Sequence, residues 1–401
     1  MMNQELFDVV IVGGGPSGAT AATDLARLGR RVLLLDKAGR IKPCGGAIPP
    51  AAIAEFSIPD ELLVAKVTSA RMVSPKGVEV DMPINGGFVG MVDREHFDEW
   101  LRARAAMVGA ERVTGAFDHI TRDSAGYAIV HYQTEDDEHD DKKMHMVRTR
   151  LVIGADGASS KVARQEINAA ADTNYVYAYH EIVRSPAPTA DGKFDPKRCD
   201  VYYQGPVSPD FYGWVFPHGD TTSVGMGTAQ KGFSIRNATA GLRAAAGLAN
   251  AETVRREGAP IPMKPLSCWD NGKDVVLAGD AAGVVAPASG EGIYYAMLGG
   301  RLAGEAAQEF LITNNAAALA KARKRFMKAH GRIFWILAIM QRFWYSSDKR
   351  RERFVSICRD KDVQELTWQA YMHKKLVKAK PMAHVRIFFK DLAHLAGIAR
   401  L

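Results

Sequence analysis

The chain has 401 residues, of which 47% are hydrophobic and 24% charged, a composition that excludes disordered, collagenous and low-complexity proteins. Its length allows two or three domains, and its four widely separated cysteines lack the spacing of a disulfide scaffold or a zinc cluster. The net charge of +7 is uneven, because residues 321–401 carry 20 basic and 6 acidic side chains and the preceding residues are acidic overall.

The strongest local pattern lies near the N-terminus. The apolar residues 7–12 predict a buried parallel strand, and a Gly-x-Gly-x-x-Gly turn follows at once. Residues 19–28 predict a helix, and residues 31–35 predict a second buried strand that ends at Asp36. Strand, glycine turn, helix, strand and terminal acid occur in the order of a dinucleotide-binding unit.

Each part of this unit has a mechanical role. Gly13 permits the tight turn, Gly15 lets a pyrophosphate approach bare backbone, and Gly18 lets helix and strand pack closely. The helix N-terminus offers free N–H groups to phosphates, and Asp36 can accept hydrogen bonds from ribose hydroxyls. The candidate nucleotide-binding residues at this end are Gly13, Gly15, Pro16, Ser17, Gly18, Asp36 and Lys37.

Two later segments repeat the design of a buried strand that ends in a small-residue turn with one acid. They are residues 151–160 and residues 275–283, the latter followed by a second turn and a helix that starts at Ile293. Taken alone, each is typical of an ordinary strand–turn–helix junction. Their candidate residues are Asp156, Gly157, Gly279, Asp280, Pro287, Gly290 and Gly292.

Residues 165–265 have a different character, rich in aromatic residues. Tyr175, Tyr177 and Tyr179 alternate and therefore share one strand face. Residues 211–217 predict a strand and residues 222–227 its return. The pattern predicts a mostly antiparallel sheet whose rings lie mainly in the core, with some lining a substrate cavity.

The C-terminal region mixes Lys and Arg with large aromatic residues. This mixture suits the surface of an anionic bilayer, and it equally suits a helical cap packed on the body; both interpretations stay open. No motif supports nucleic-acid binding. Because no apolar run approaches the roughly 20 residues of a membrane span and no export signal precedes the first strand, we expect a cytoplasmic protein that does not span a membrane.

The order of the motifs resembles the flavoprotein superfamily typified by p-hydroxybenzoate hydroxylase. The resemblance implies FAD, with the 151–160 segment near the flavin pyrophosphate and the carboxylate of Asp280 on the ribityl chain. It also implies that the helix following Gly292 points at the flavin pyrimidine edge and that Arg94 contacts the cofactor. A solvated arginine at a helix start is the alternative interpretation of Arg94.

Two further segments, Pro43-Cys44-Gly45-Gly46 and residues 212–217, resemble the geranylgeranyl reductases, closest to the branch that acts on chlorophyll or bacteriochlorophyll. The resemblance implies a catalytic role for Cys44, in proton donation or substrate positioning, and places Cys44, Gly45 and Gly46 at the flavin. The alternative interpretation of Cys44 is a buried thiol that packs as a small hydrophobic residue. Tyr212 and Trp214 are candidate walls of an apolar slot for a prenyl chain. NADPH, or reduced ferredoxin, is the implied electron donor, and enzymes of pigment synthesis are possible partners. The same resemblance implies that the protein is peripherally associated with a photosynthetic membrane.

The predicted fold class is α/β, with a Rossmann-like three-layer FAD-binding domain formed by residues 1–70, 91–164 and 266–325. A mostly antiparallel β substrate domain (71–90 and 165–265) is inserted, and 326–401 form a C-terminal helical region. The predicted activity is saturation of polyprenyl double bonds; the alternatives are an FAD monooxygenase acting on a lipophilic substrate and a non-enzymatic flavin-bound adaptor or pigment carrier. No metal site is predicted, because the acidic run 135–141 is typical of a solvated hairpin tip.

Overall fold

The computed structural model describes residues 5–37, 41–135, 142–187 and 193–374. The described strands are β1 (Leu6–Val12), β2 (Val32–Asp36), β3 (Ala47–Ile48), β4 (Leu63–Val67), β5 (Ser69–Val73), β6 (Glu79–Pro83), β7 (Val89–Val92), β8 (Glu111–Thr114), β9 (Ala116–Arg122), β10 (Ala128–Glu135), β11 (Lys142–Gly154), β12 (Tyr175–Arg184), β13 (Arg198–Tyr202), β14 (Gly213–His218), β15 (Thr221–Thr228), β16 (Thr253–Pro262) and β17 (Val275–Leu277). The described helices are α1 (Pro16–Arg27), α2 (Pro50–Glu55), α3 (Arg94–Met107), α4 (Lys161–Glu166), α5 (Ile235–Ala245), α6 (Ile293–Thr313), α7 (Lys321–Trp344), α8 (Asp348–Ile357) and α9 (Lys361–His373). Most of the predicted acidic hairpin tip and the last part of the C-terminal region, 375–401, lie outside the described residues.

The described residues divide into two compact units. The first comprises Met1–Lys42, Arg94–Tyr175 and Pro260–Ala338, and the second Pro43–Asp93, Val176–Ala259 and Ile339–Leu401, in each case as far as they are described. This division differs from the predicted domain boundaries at residues 43–70. The reason is that β3 and β4 both pair with β7, and β4 and β7 contact β14 of the second unit.

The first unit is built on a sheet with the order β8-β2-β1-β11-β10-β9, and β17 pairs with the end of β11. β8, β2, β1, β11 and β17 run parallel, whereas β9 and β10 extend the sheet as an antiparallel meander. Val9–Val12 and Val32–Leu35 are buried, as the continuous apolar runs predict. Helix α1 packs against α3 and α6, so the strand–turn–helix–strand unit predicted at the N-terminus is present.

The second unit contains the sheet β16-β12-β15-β14-β13-β5-β6. From β12 to β6 the neighbouring strands are antiparallel, except that β13 and β5 run parallel. One face packs on α5 through an apolar cluster that includes Val215, Val224 and Leu242. On the other face, Phe216 packs with Met91 of β7 and Met372 of α9. Together with the parallel sheet and the C-terminal helices, this sheet confirms the predicted α/β fold class with a mostly antiparallel β domain.

The C-terminal helices are partly packed and partly exposed. Arg351 of α8 is buried and donates to the carbonyl oxygens of Pro209 and Tyr345, and Trp368 of α9 packs on the apolar cluster around Met91. For α8 and α9 the packed-cap interpretation is therefore confirmed, whereas Trp335 of α7 faces solvent. Within the described ranges, no helix combines the length and apolarity that crossing a membrane requires.

Candidate functional site

In the first unit, the three loops singled out in the sequence meet around Gly13 and Ser17. A Cβ added at Gly13 would overlap the backbone of Ala155, and one added at Gly18 would overlap the carbonyl oxygen of Gly13. A Cβ at Gly279 would lie 2.8 Å from the Cβ of Ser17. The loops at 13–18, 154–157 and 279–292 therefore converge, because the parallel strands that precede them end at one edge of the sheet.

Gly15 differs from its neighbours in a way that fits a bound nucleotide. A Cβ added there would meet no protein atom within 4 Å, so the fold itself does not demand glycine at this position. Gly15 is the N-cap of α1, Pro16 fills the first helical position, and the described side chains provide no cap. The N-terminus of α6 at Gly292 likewise has no side-chain cap. Uncapped helix N-termini offer free N–H groups to the anionic groups of a ligand.

Asp36 lies at the end of β2 beside the glycine turn. Arg102 of α3 donates to its carboxylate through Nη1 at 2.9 Å, and a Cβ at Gly14 would lie 2.9 Å from the Cβ of Asp36. Burial raises the pKa of Asp36, against the opposing effects of the Gly14 backbone and the Arg102 charge. The carboxylate is thus held close to the turn, where it can accept from a ribose; the neighbouring Lys37 is exposed.

Asp280 lies in the third loop, in a 3₁₀ turn formed by Gly279–Ala282. Its carboxylate forms an ion pair with Lys42 and lies near Gly292, where an added Cβ would be 3.7 Å from Oδ1. Between Asp280 and Gly292, Pro287 is buried. Gly290 has a φ of +64°, a conformation that favours glycine. The carboxylate of Asp280 and the ammonium group of Lys42 therefore lie near the residue that precedes α6.

Asp156 and Arg94 both have local partners. Asp156 accepts from the backbone N–H of Lys161 at 2.7 Å and from the Ser160 hydroxyl, so its carboxylate holds the start of α4, and Gly157 follows with a φ of +82°. Arg94 is buried and makes a two-pronged ion pair with Asp98 at 2.8 and 2.7 Å. The solvated interpretation of Arg94 is therefore wrong, while contacts of Asp156, Gly157 and Arg94 with a cofactor stay predictions.

In the second unit, the loop containing Cys44 lies on strand β14. A Cβ at Gly45 would be 3.1 Å from the ring of Phe216, and Gly46, with a φ of +70°, leaves no room for a side chain against His218 and Val92. Cys44 is a free, half-buried thiol whose sulfur lies 3.4 Å from the backbone nitrogen of Gly46. The loop thus presents one thiol next to an aromatic strand.

His218 supports this loop as a neutral imidazole. Its Nδ1–H donates to the carbonyl oxygen of Phe216 at 2.9 Å, which leaves Nε2 facing Gly46. Desolvation lowers the pKa of His218 to about 4, so at neutral pH the ring is uncharged. Both ring nitrogens therefore face the local backbone, and His218 serves the structure of this loop.

Trp214 of β14 is held in place by a chain of hydrogen bonds. Its Nε1–H donates to the Ser223 hydroxyl at 3.0 Å, and that hydroxyl lies 2.8 Å from Nδ1 of His180. Nε2 of His180 lies 2.9 Å from Glu257, and a neutral imidazole protonated on Nε2 satisfies both contacts. Burial raises the pKa of Glu257, but the hydrogen bond from His180 and the charge of Arg255 outweigh it, so the net pKa is lowered and the carboxylate is ionised.

The rings next to Trp214 extend the aromatic surface. The Trp214 ring lies 6.1 Å from Tyr212 and 6.3 Å from Phe216, and both Tyr212 and Trp214 are buried. Gly225 makes space for the indole, since a Cβ there would lie 2.5 Å from its Cζ2 atom. By contrast, Tyr179 pairs with Met226 and lies on the opposite face, so the alternating tyrosines are not part of this surface.

Comparisons with known proteins agree with these features. The family described as FAD dependent oxidoreductase matches residues 8–57. A geranylgeranyl diphosphate reductase of Rhodobacter capsulatus is 58% identical over 98% of this chain and 98% of its own length. This chain belongs to the geranylgeranyl diphosphate reductase family. A relative of the same description from Synechocystis is 36% identical over 96% of this chain and 97% of its own.

The structural comparison supports the fold of this reductase family. A geranylgeranyl bacteriochlorophyll reductase-like protein of Thermoplasma acidophilum superposes with a TM-score of 0.79 at 21% identity, covering 98% of this chain and 100% of its own. The predicted resemblance to geranylgeranyl reductases is confirmed, and the protein is an FAD-dependent oxidoreductase. The uncapped helix N-termini and the open backbone at Gly15 fit that cofactor.

The structure also contains partners that the sequence predictions omitted. Arg102 pairs with Asp36 and Lys42 with Asp280 in the first unit. The pairing of Asp98 with Arg94 could have been predicted from the sequence, because the two residues lie four positions apart on one helix. Lys42 has no such local signal. Among the described residues, no cluster of three or more His, Cys, Asp or Glu could hold a metal ion.

Proposed function

We propose that this protein saturates double bonds of a geranylgeranyl chain to the phytyl level, on geranylgeranyl diphosphate or on the chain esterified to chlorophyll or bacteriochlorophyll. The observation that carries the proposal is the 58% identity to a named geranylgeranyl diphosphate reductase over nearly the whole of both chains. The converging FAD loops and the thiol beside an aromatic strand support it.

The chemistry explains why such residues are needed. An isolated alkene is a poor hydride acceptor, so hydride delivery to one carbon must be joined to protonation of the other in an apolar environment. FAD, when bound, supplies the hydride. We propose that Cys44 donates the proton or positions the alkene, and that Tyr212 and Trp214 form walls that exclude water from the chain.

The electron donor and the cellular setting belong to the same proposal. We propose NADPH as the donor, with reduced ferredoxin as the alternative. Because the sequence contains a single Gly-x-Gly-x-x-Gly unit, NADPH would reach the flavin without a Rossmann domain of its own. A prenyl substrate is lipophilic, so we also propose peripheral association with the membrane, where enzymes of pigment synthesis would be its partners. The basic, aromatic C-terminal region supports this setting.

Product analysis tests the proposed reaction. The purified holoenzyme is supplied with NADPH and, in parallel, with geranylgeranyl diphosphate and with the geranylgeranyl-esterified pigment, and products are identified by mass spectrometry. We expect products with two additional hydrogen atoms for each reduced double bond, and the preferred substrate identifies the form of the chain. A hydroxylated product formed with stoichiometric oxygen consumption would instead support the monooxygenase alternative, and no flavin reduction by any donor would support a carrier.

Ser223→Ala tests the proposed wall function of Trp214. Removing the hydroxyl deletes the acceptor of the indole N–H and one partner of His180, contacts whose net worth is about 1 kcal/mol. We expect KM for the prenyl substrate to rise roughly three- to tenfold with flavin content unchanged and with kcat less affected. Ser223→Thr should restore KM.

Ser185→Ala is the matched control for that variant. Ser185 hydrogen-bonds Thr222 at 2.8 Å, and Thr222 faces the opposite side of the sheet from Ser223, so KM should stay at the parent value. Equal changes in KM for the two variants would show that Ser223 acts only through the stability of the sheet.

A further inference from the structure

Helix α7 has a packed inner face and an apolar outer face that the described residues leave open. On the inner side the ring of Phe334 lies 4.9 Å from Tyr295, and that of Phe326 lies 5.3 Å from Trp269. On the outer side Trp335 is 65% exposed and Ile339, one turn further along, is 47% exposed. Exposed large apolar side chains on adjacent turns form a stripe rather than isolated positions.

Basic side chains flank this stripe on the same side of the helix. Lys328, Arg332 and Arg342 are exposed and fall at helical spacing from Trp335 and Ile339. The helix contains no acidic residue. In the described part of the chain, no carboxylate forms an ion pair with these three residues, whereas Lys321 and Arg325 pair with Glu309 and Glu305 of α6.

We propose that the outer face of α7, formed by Lys328, Arg332, Trp335, Ile339 and Arg342, binds the surface of an anionic lipid bilayer. Unpaired lysine and arginine groups attract negatively charged headgroups, and their apolar stems allow the charge to stay in water. A tryptophan ring is well suited to the headgroup boundary, and an isoleucine next to it can enter the acyl region. Positive charge without a matching carboxylate is the feature that favours a bilayer as the occupant.

Trp335, the part of the stripe that belongs to the first unit, is next in sequence to a residue that packs on the start of α6. Phe334, adjacent to Trp335, contacts Tyr295, the third residue of α6. Gly292, the residue before α6, lies near Asp280 in the third of the converging loops. A bilayer on this face would therefore lie beside the cofactor end of α6, and only the identity of the cargo, a lipid-dissolved prenyl chain, rests on the proposed function.

Vesicle sedimentation of the full-length holoenzyme tests the surface. Vesicles of phosphatidylcholine with phosphatidylglycerol are compared with vesicles of phosphatidylcholine alone, at low and high salt. We expect preferential binding to the anionic vesicles and at least a tenfold lower partition coefficient for the double variant Trp335→Ser/Ile339→Ser. Arg332→Gln should lower binding to the anionic vesicles only.

Matched controls come from exposed apolar residues on other helices. Leu28 at the end of α1 is 57% exposed and Met107 at the end of α3 is 77% exposed, so Leu28→Ser and Met107→Ser remove similar apolar surface. Both should bind vesicles like the parent protein. The flavin content and melting temperature of all variants should match the parent, because each substituted side chain is in solvent.

Three outcomes would overturn the proposal. The first is unchanged binding by the Trp335→Ser/Ile339→Ser variant, with loss of binding only after removal of 375–401. The second is a parent dimer that this variant converts to a monomer without an effect on vesicle binding, since a second copy would then cover the face. The third is loss of turnover by the Trp335→Ser/Ile339→Ser variant on detergent-dispersed substrate, because the two side chains would then act in the reaction and not in binding to a bilayer. A parent protein that binds vesicles through α7 but reduces no prenyl chain would refute the proposed function alone.

Discussion

Gly300→Ala is expected to yield a protein that purifies without flavin and unfolds at a markedly lower temperature than the parent. Gly300 lies in the second turn of α6, where an added Cβ would overlap the backbone of Ser17 in the first turn of α1. Helix α6 would have to move away from α1, and overlap of this kind in a packed core costs about 1–3 kcal/mol or more. Absorption spectra and thermal melts of the purified variant measure both effects.

Variants of two other glycines distinguish an effect on folding from an effect on FAD binding. Gly304→Ala, one turn further along α6, would place its Cβ 3.8 Å from the nearest atoms and should be tolerated with flavin bound. Gly15→Ala meets no protein atom, so stability should change by no more than about 0.5 kcal/mol. Its affinity for FAD should nevertheless fall by roughly two orders of magnitude, about 3 kcal/mol. Normal FAD affinity in Gly15→Ala would show that the pyrophosphate does not approach this turn.

Cys44→Ala is expected to keep its flavin and to reduce the prenyl substrate about a hundredfold or more slowly, the usual range for loss of a positioned proton donor. The thiol is half-buried on the loop that covers Phe216, and an alanine fits that loop without distortion. Turnover is measured by product mass spectrometry, and retention of the cofactor by the flavin absorbance.

Two cysteine variants complete this test. Cys44→Ser keeps a hydroxyl in place of the thiol and should recover part of the rate if proton donation is the role. Cys268→Ala removes an exposed free thiol in the first unit and should leave turnover unchanged. Full activity of Cys44→Ala would remove this residue from the mechanism.

The parts of the site that follow from local sequence were predictable. The turn at Gly13, Gly15 and Gly18 was found because its function depends on contiguous strand, turn and helix. Convergence of the other two loops was implied by the resemblance of the motif order to the flavoprotein superfamily. The start of α6 at Ile293 also agrees with the sequence prediction.

The parts that depend on contacts between distant segments were not predictable. Lys42 meets Asp280 and Arg102 meets Asp36 only because the fold brings together residues far apart in the chain. The support of Trp214 by His180 has the same origin, since β12 and β15 must first pair in the observed register. The pair of glycines inside the predicted helix is a weak sign of close helix packing at Gly300. Its partner, Ser17, could not be identified because it lies far away in the sequence.

Anaerobic reoxidation of the reduced holoenzyme tests the central claim, that this protein's FAD delivers hydride to a prenyl double bond. The enzyme is reduced without excess donor, mixed with geranylgeranyl diphosphate in the absence of oxygen, and followed by the absorbance of oxidised flavin. We predict return of the oxidised spectrum together with one saturated double bond for each flavin. The geranylgeranyl-esterified pigment is tested in the same way. Flavin that stays reduced with both substrates, and reoxidises only when oxygen is admitted, would contradict the account.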